Sequence, residues 1–154
     1  MNMNKLIFFI VTFGKVGTIK YFPGTFGSIA GLLLGALIIK LTNHSVFLTC
    51  FFILTLISIF TVDEYLKTSK NLDPKEIVID EVLGQWIAIA FIQFDFMIIF
   101  LSFLIFRFLD ITKIFPINRI EKIKGYIGVI GDDLFAGIIT AIIIITLTNY
   151  GMIQ

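Results

Sequence analysis

The chain has 154 residues, of which 58% are hydrophobic and 15% charged, with a mean hydropathy of +1.01 and a formal net charge of +1. A soluble domain of this size would expose too much apolar surface to stay dispersed, so composition points to one integral-membrane unit spanning residues 1–154. The near-neutral charge and the lack of a dense basic run argue against nucleic acid as a partner. A lone cysteine, Cys50, excludes an intramolecular disulfide and a cysteine metal cluster.

In chain order, the apolar run Leu6–Val11 is too short to span, and no small-residue cleavage site follows it. It reads as a short interfacial helix. Gly14–Gly24 reads as a loop ending in the turn pair Pro23-Gly24. Phe26–Leu41 is the first apolar passage. Its Gly27, Gly31 and Gly35 recur every four residues, the small-xxx-small pattern that lets membrane helices approach closely, within one chain or between copies in a homo-oligomer. Thr42–Ser45 is a turn, and Val46–Val62 a second passage.

Asp63–Ile79 is polar. Asp73 as N-cap and Pro74 at the first helical position predict a helix from Pro74 through Asp80 and Glu81 to about Phe94. The apolar part of that helix, Val82–Phe94, covers roughly 20 Å against a hydrocarbon core of about 30 Å. Gln93-Phe94-Asp95 marks a tight turn. Phe96–Phe106 follows, its helix continuing through Arg107 and Asp110 to about Lys113. Pro116 and Asn118–Lys124 form a loop punctuated by Gly125, Gly128 and Gly131, and Asp132-Asp133 opens the last run, Leu134–Leu147. The expectation is an all-α, compact helical membrane bundle of about five apolar passages plus the N-terminal interfacial helix.

With the N-terminus inside and five passages, eleven of the twelve Lys and Arg fall on one side and only Lys40 on the other. The positive-inside rule makes that side cytoplasmic. Every Asp and Glu except Asp95 lies there too. Three acid-bearing segments therefore meet at one face: Asp80-Glu81, Arg107-x-x-Asp110-x-x-Lys113 and Asp132-Asp133. Each alone has a bland reading, as acids at a helix start, an i,i+3 ion pair or an N-cap. Together they suit a hard cation such as Mg²⁺ held by carboxylates, with Arg and Lys on the phosphate oxygens it bridges. The one histidine, His44, lies on the opposite side, and no cysteine- or aspartyl-phosphatase signature occurs. Metal-assisted hydrolysis by a metal-activated water is the chemistry that remains. Within the first pair, Asp80 shares a helix face with Gly84, which favours it over Glu81 as the metal ligand, with Glu81 as second ligand or base.

These motifs resemble those of the phosphatidylglycerophosphatase A family. The stretches that carry the resemblance are Phe22-Pro23-Gly24-Thr25-Phe26-Gly27-Ser28, Ile77–Gly84, Phe106–Lys113 and Gly128–Gly137, in family order and with family-like spacing. The resemblance implies a Mg²⁺-dependent enzyme that converts the membrane phospholipid phosphatidylglycerophosphate to phosphatidylglycerol and inorganic phosphate in the bacterial cytoplasmic membrane. It also implies one central helix packed among others. Carried over, it makes Asp80, Glu81, Asp110, Asp132 and Asp133 metal ligands, with Asp80, Glu81, Asp132 and Asp133 also catalytic. Arg107 and Lys113 would meet phosphate, and the Pro23-Gly24-Thr25 turn would shape the site, with Gly24 and Thr25 binding phosphate through Thr25 or backbone N–H groups. The chain departs from the family in reading Lys113-Ile114-Phe115-Pro116, where Pro and Trp often follow the lysine, and Lys124-Gly125-Tyr126, where His-Gly-Gly is frequent. Two other readings stand beside it: the same site acting on another lipid phosphate, or a small cation-binding transport or assembly protein. The second places ionisable groups mid-span, whereas here they gather at one mouth.

Overall fold

The computed structural model describes residues 3–69, 74–92 and 94–153, and among them every regular element is helical. The elements are α1 (Met3–Val11), a 3₁₀ turn (Val16–Thr18), α2 (Pro23–Leu41), α3 (His44–Thr68), α4 (Ile79–Ile89), α5 (Phe96–Thr112), α6 (Ile117–Ile120) and α7 (Tyr126–Asn149). The expected all-α bundle and short N-terminal helix are present. Among the described residues three helices, α2, α3 and α7, are long and apolar enough to cross a membrane, fewer than the five passages expected. The 17 residues of α5 span about 25 Å, and the 11 of α4 only about 16 Å. The apolarity of α4 has a different cause from lipid contact: nine of its eleven residues are buried in the protein.

Several boundaries shift for local reasons. Pro23 and Gly24 form the first turn of α2 rather than a loop, because Phe22 takes a left-handed conformation (φ 54°) and Pro23 starts the helix. Asn43 caps α3, its side chain accepting from the Val46 N–H at 3.0 Å, so His44 and Ser45 are helical. α3 runs on to Thr68 through the acids expected to end it, with Lys67 bridging Asp63 at 2.8 Å one turn back. α4 starts at Ile79, not Pro74. The Val78 N–H donates to the Val11 carbonyl at 3.0 Å, which ties the preceding segment to α1 instead of to a helical turn. Asp73 and Gln93 lie outside the described residues. Asp95 caps α5, accepting from Met97 and Ile98 at 2.8 and 3.1 Å. α7 begins at Tyr126, which puts Asp132 and Asp133 well inside the helix rather than at its opening. Gly128 permits this, since a Cβ there would approach the Glu121 carbonyl oxygen to 2.9 Å.

α4 is the central helix, packed against α2, α3, α5 and α7. The glycine ladder of α2 faces it: Gly27 meets Val78, Gly31 meets Val82, and Gly35 meets Trp86. Residue numbers rise together along both contacts, so the two helices are parallel. The expected small-residue face is thus used inside the chain. The Trp86 indole N–H donates to the Gly31 carbonyl at 2.7 Å, and its ring packs on Phe47 with centroids 5.2 Å apart. Glycines serve the other side of α4 as well. A Cβ on Gly84 would lie 2.6 Å from both the Asp133 carbonyl oxygen and the Phe106 ring, and Gly137 sits against Gly84 in turn. These contacts bring the starts of α2 and α4, the second turn of α7 and the end of α5 to one end of the bundle.

Candidate active site

The predicted charged groups at that end come from three helices, α4, α5 and α7. Asp80 and Glu81 stand in the first turn of α4, where acids complement the exposed amides of a helix start. Asp132 and Asp133 project from α7, Arg107 and Asp110 from the last turns of α5, and Lys113 caps α5. The side-chain oxygens of Asp80, Glu81 and Asp133 converge, one from each lying within 4.8 Å of the others. Asp80, Asp110, Asp132 and Asp133 are all buried.

The five predicted ligands divide into two sets. Asp110 pairs with Arg107 Nη1, and Asp132 accepts from Lys113 Nζ at 2.6 Å, so these two acids are engaged by cations. The remaining three form the convergent cluster. Both members of the Asp80-Glu81 pair reach it, although adjacent helix positions diverge. The Asp80 carboxylate turns back to accept the Glu81 N–H at 3.0 Å, and the longer Glu81 side chain covers the difference.

The two cations are held on several sides. Arg107 donates from Nη1 to Ser28 Oγ at 3.2 Å and from Nη2 to Thr25 Oγ1 at 3.3 Å, in addition to Asp110. Thr25 therefore touches the site through Arg107. Lys113 donates also to Glu121 at 2.8 Å. Lys113 itself is left-handed (φ 44°, ψ 50°), a conformation that few non-glycine residues take and that is enriched at functional sites. Burial works against its charge, but the hydrogen bonds it donates to Asp132 and Glu121 outweigh it, and its pKa is raised above the ordinary lysine value. Gly24 has no room for a side chain: a Cβ would run into the Glu81 carboxylate and lie 3.5 Å from Arg107 Nη1. The predicted site residues Gly24, Thr25, Asp80, Glu81, Arg107, Asp110, Lys113, Asp132 and Asp133 are thus all brought to this end.

Sequence reasoning missed three participants. Ser28 was read only as a small helix residue, though it sits in the Pro23–Ser28 motif and orients Arg107. Glu121 looked like one charge among several in a loop. Gln85, one turn beyond Glu81, is fully buried with neither amide atom partnered in the protein.

The charge balance sets what the site can hold. Five carboxylates face two cations in a buried setting, and Glu81 Oε2 is buried with no partner in the protein. Clustered like charges with so little compensation are costly without a counter-cation. Three convergent oxygen donors suit a hard divalent ion, with donors for phosphate oxygens alongside.

Comparison with known proteins gives the chain a family. The profile of the family described as phosphatidylglycerophosphatase A matches residues 9–148. Phosphatidylglycerophosphatase A of Haemophilus influenzae is 33% identical over 153 residues, covering 98% of this chain and 93% of that protein. Its Escherichia coli namesake is 36% identical over 80 residues, covering 49% of this chain and 46% of its own length. A putative phosphatidylinositol-3-phosphatase of Bacteroides thetaiotaomicron is 33% identical over 75 residues, 47% of either chain. No solved structure matches. With matched residues running from α1 to α7 and nearly the whole chain aligned to the Haemophilus protein, this chain belongs to the phosphatidylglycerophosphatase A family.

Proposed function

We propose that the protein is a Mg²⁺-dependent lipid phosphatase that hydrolyses phosphatidylglycerophosphate to phosphatidylglycerol and inorganic phosphate at the cytoplasmic face of the bacterial inner membrane. The observation that carries this reading is the convergence of Asp80, Glu81 and Asp133 beside two anchored cations, Arg107 and Lys113. Family membership supports the substrate. Mg²⁺ held by Asp80, Glu81 and Asp133 would supply Lewis-acid stabilisation of the phosphoryl oxygens and lower the pKa of a bound water.

Asp110 and Asp132 act as anchors, fixing Arg107 and Lys113 in place. Each cation keeps donors to spare. The guanidinium carries more N–H groups than its three contacts use, and its Nε has no partner in the protein. Lys113 has one N–H beyond its two contacts. These free donors meet the phosphate oxygens, where preorganised charge is most effective. Glu81 Oε2 accepts the proton of the attacking water. As the water oxygen bonds to phosphorus, the bond from phosphorus to the glycerol oxygen breaks; that oxygen takes a proton from solvent and leaves as the alcohol, and Glu81 returns the proton it gained to solvent.

The test is phosphate release from phosphatidylglycerophosphate by protein purified in neutral detergent. Excess EDTA should abolish release and Mg²⁺ restore it. Asp133→Asn and Glu81→Gln should each lower kcat on the order of 100-fold or more. Release that persists in EDTA, or an unimpaired Asp133→Asn enzyme, would sink the mechanism. The name of the Bacteroides relative motivates a second substrate, phosphatidylinositol 3-phosphate, assayed in parallel. A higher kcat/KM on that lipid would move the assignment to it.

A further inference from the structure

At the start of α2, lined by Pro23 and the turn before it, lies an open cavity of about 360 Å³. Its wall includes Lys20, Lys75, Glu76, Pro23 and Phe8. Its floor is set by backbone contact: Gly17 lies so close to the Glu76 carbonyl that no side chain fits between them. Glu76 Oε1 accepts from the Tyr65 hydroxyl at 2.9 Å, and among the described residues neither Lys20 nor Lys75 forms an ion pair. The cavity therefore offers two ammonium groups without a carboxylate partner, Lys20 Nζ lying over the Tyr21 ring at 5.5 Å, against one engaged carboxylate.

The cavity joins the carboxylate site through adjoining residues. Pro23 lines the cavity, and the next residue, Gly24, packs against Glu81 and Arg107. The cavity therefore begins one residue from the turn that packs on Glu81 and Arg107, and the two anionic groups of the proposed substrate are joined by a short glycerol bridge. A lipid with a terminal phosphomonoester and an internal phosphodiester has two anionic groups separated by such a bridge. We infer that Lys20 and Lys75 bind the phosphodiester of the lipid substrate while its terminal phosphate lies at Asp80, Glu81 and Asp133. This subsite rests on the proposed phosphatase reading and makes Lys20 and Lys75 specificity-determining. The apolar wall at Phe8 suits the glycerol carbons and the start of the acyl chains.

The experiment compares wild type with Lys20→Gln, Lys75→Gln and the double variant in micelles of a neutral detergent. The double variant should raise KM for phosphatidylglycerophosphate about tenfold, as expected for loss of charge-assisted hydrogen bonds. Its kcat should stay within about twofold, because the reacting phosphate is held elsewhere. Inhibition by inorganic phosphate should be unchanged, and Lys122→Gln should behave as wild type. An unchanged KM, or a parallel weakening of phosphate inhibition, would overturn the inference. So would an effect seen only when anionic vesicles are added, which would assign the lysines to bulk lipid. A wild-type enzyme that releases no phosphate would refute the phosphatase reading instead. Direct binding of phosphatidylglycerol, which carries the diester alone, then decides the subsite: weaker binding by the double variant upholds it, and equal binding removes it.

Discussion

Lys113 illustrates how a single residue can be both legible and misread. Its spacing from Arg107 and Asp110 marked it as a site residue, but that spacing assumes a continuing helix. The left-handed turn at Lys113 ends α5 and leaves its Nζ on Asp132 and Glu121, a partner on α7 and one in the loop before it. No one-dimensional pattern gives that turn, because the residue that usually takes it is glycine. The consequence is testable through pH. Burial opposes the Lys113 charge, while Asp132 and Glu121 raise its pKa above the unfolded value of about 10.4. A group shifted upward on folding contributes stability that is complete below its unfolded pKa and is lost as pH rises through the folded one. The stability gap between wild type and Lys113→Met should therefore be flat from about pH 6 to 9 and close only at more alkaline pH. Thermal unfolding in detergent across that range checks it. A gap that closes between neutrality and about pH 9 would mean that Lys113 titrates near neutrality and is not held by these acids.

Among the elements, α4 depends on glycines that belong to its neighbours. The Gly27-Gly31-Gly35 spacing was readable, since lipid gives helices little hydrophobic reason to associate and close packing must supply it. Which helix fills the groove was not readable, because α2 and α4 lie more than thirty residues apart and the spacing names no partner. The starts of α4 and α7 were misplaced for a related reason. Pro74 and Gly128 carry strong local signals, but long-range contacts override them: Val78 on Val11, and Gly128 against the backbone of the preceding loop. The same contacts rank the glycines by sensitivity. At Gly84 a Cβ meets the Asp133 carbonyl and Phe106 at 2.6 Å, and at Gly31 it meets the Val82 Cα at 2.9 Å. At Gly131 it meets only one side-chain atom, the Ile120 Cγ2 methyl, at 3.1 Å. Gly84→Ala and Gly31→Ala should each destabilise by about 1–3 kcal/mol through overpacking. Gly131→Ala should be near neutral, because the gain in helix propensity of up to about 1 kcal/mol offsets a contact that can yield. Unfolding midpoints of the three variants in one detergent decide this. A Gly84→Ala protein as stable as Gly131→Ala would show that α4 and α7 are not in the contact described.

For the whole molecule, the distribution of charge explains how a short central helix fits a membrane-length bundle. α4 covers about 16 Å, yet α2, α3 and α7 are long enough to cross. Enclosed on its sides by protein, α4 can carry Asp80 and Glu81 below the ends of its neighbours without exposing them to lipid. The outward faces of the long helices are apolar, with Leu33, Leu37, Phe52, Leu56 and Ile142 exposed. The site end collects Lys67, Arg107 and Lys113 at the finish of α3 and α5, whereas the opposite end of α2 carries Lys40. Composition made the membrane class legible, and the lysine asymmetry assigned a side, but more apolar passages were expected than the long helices found: the apolar run of α4 looks the same whether lipid or protein surrounds it, and α5 has only 17 residues. The orientation itself is open to direct measurement. In a Cys50→Ser background, Lys122→Cys lies in the exposed loop beside the site, and Asn43→Cys in the exposed α2–α3 turn at the far end. An impermeant thiol reagent added to intact cells should label Asn43→Cys and leave Lys122→Cys unmodified until the membrane is opened. Labelling of Lys122→Cys from outside would invert the bundle and put the carboxylate site on the side away from the cytoplasm. Labelling of both would mean that the two ends share one side, a result incompatible with α2 crossing the bilayer.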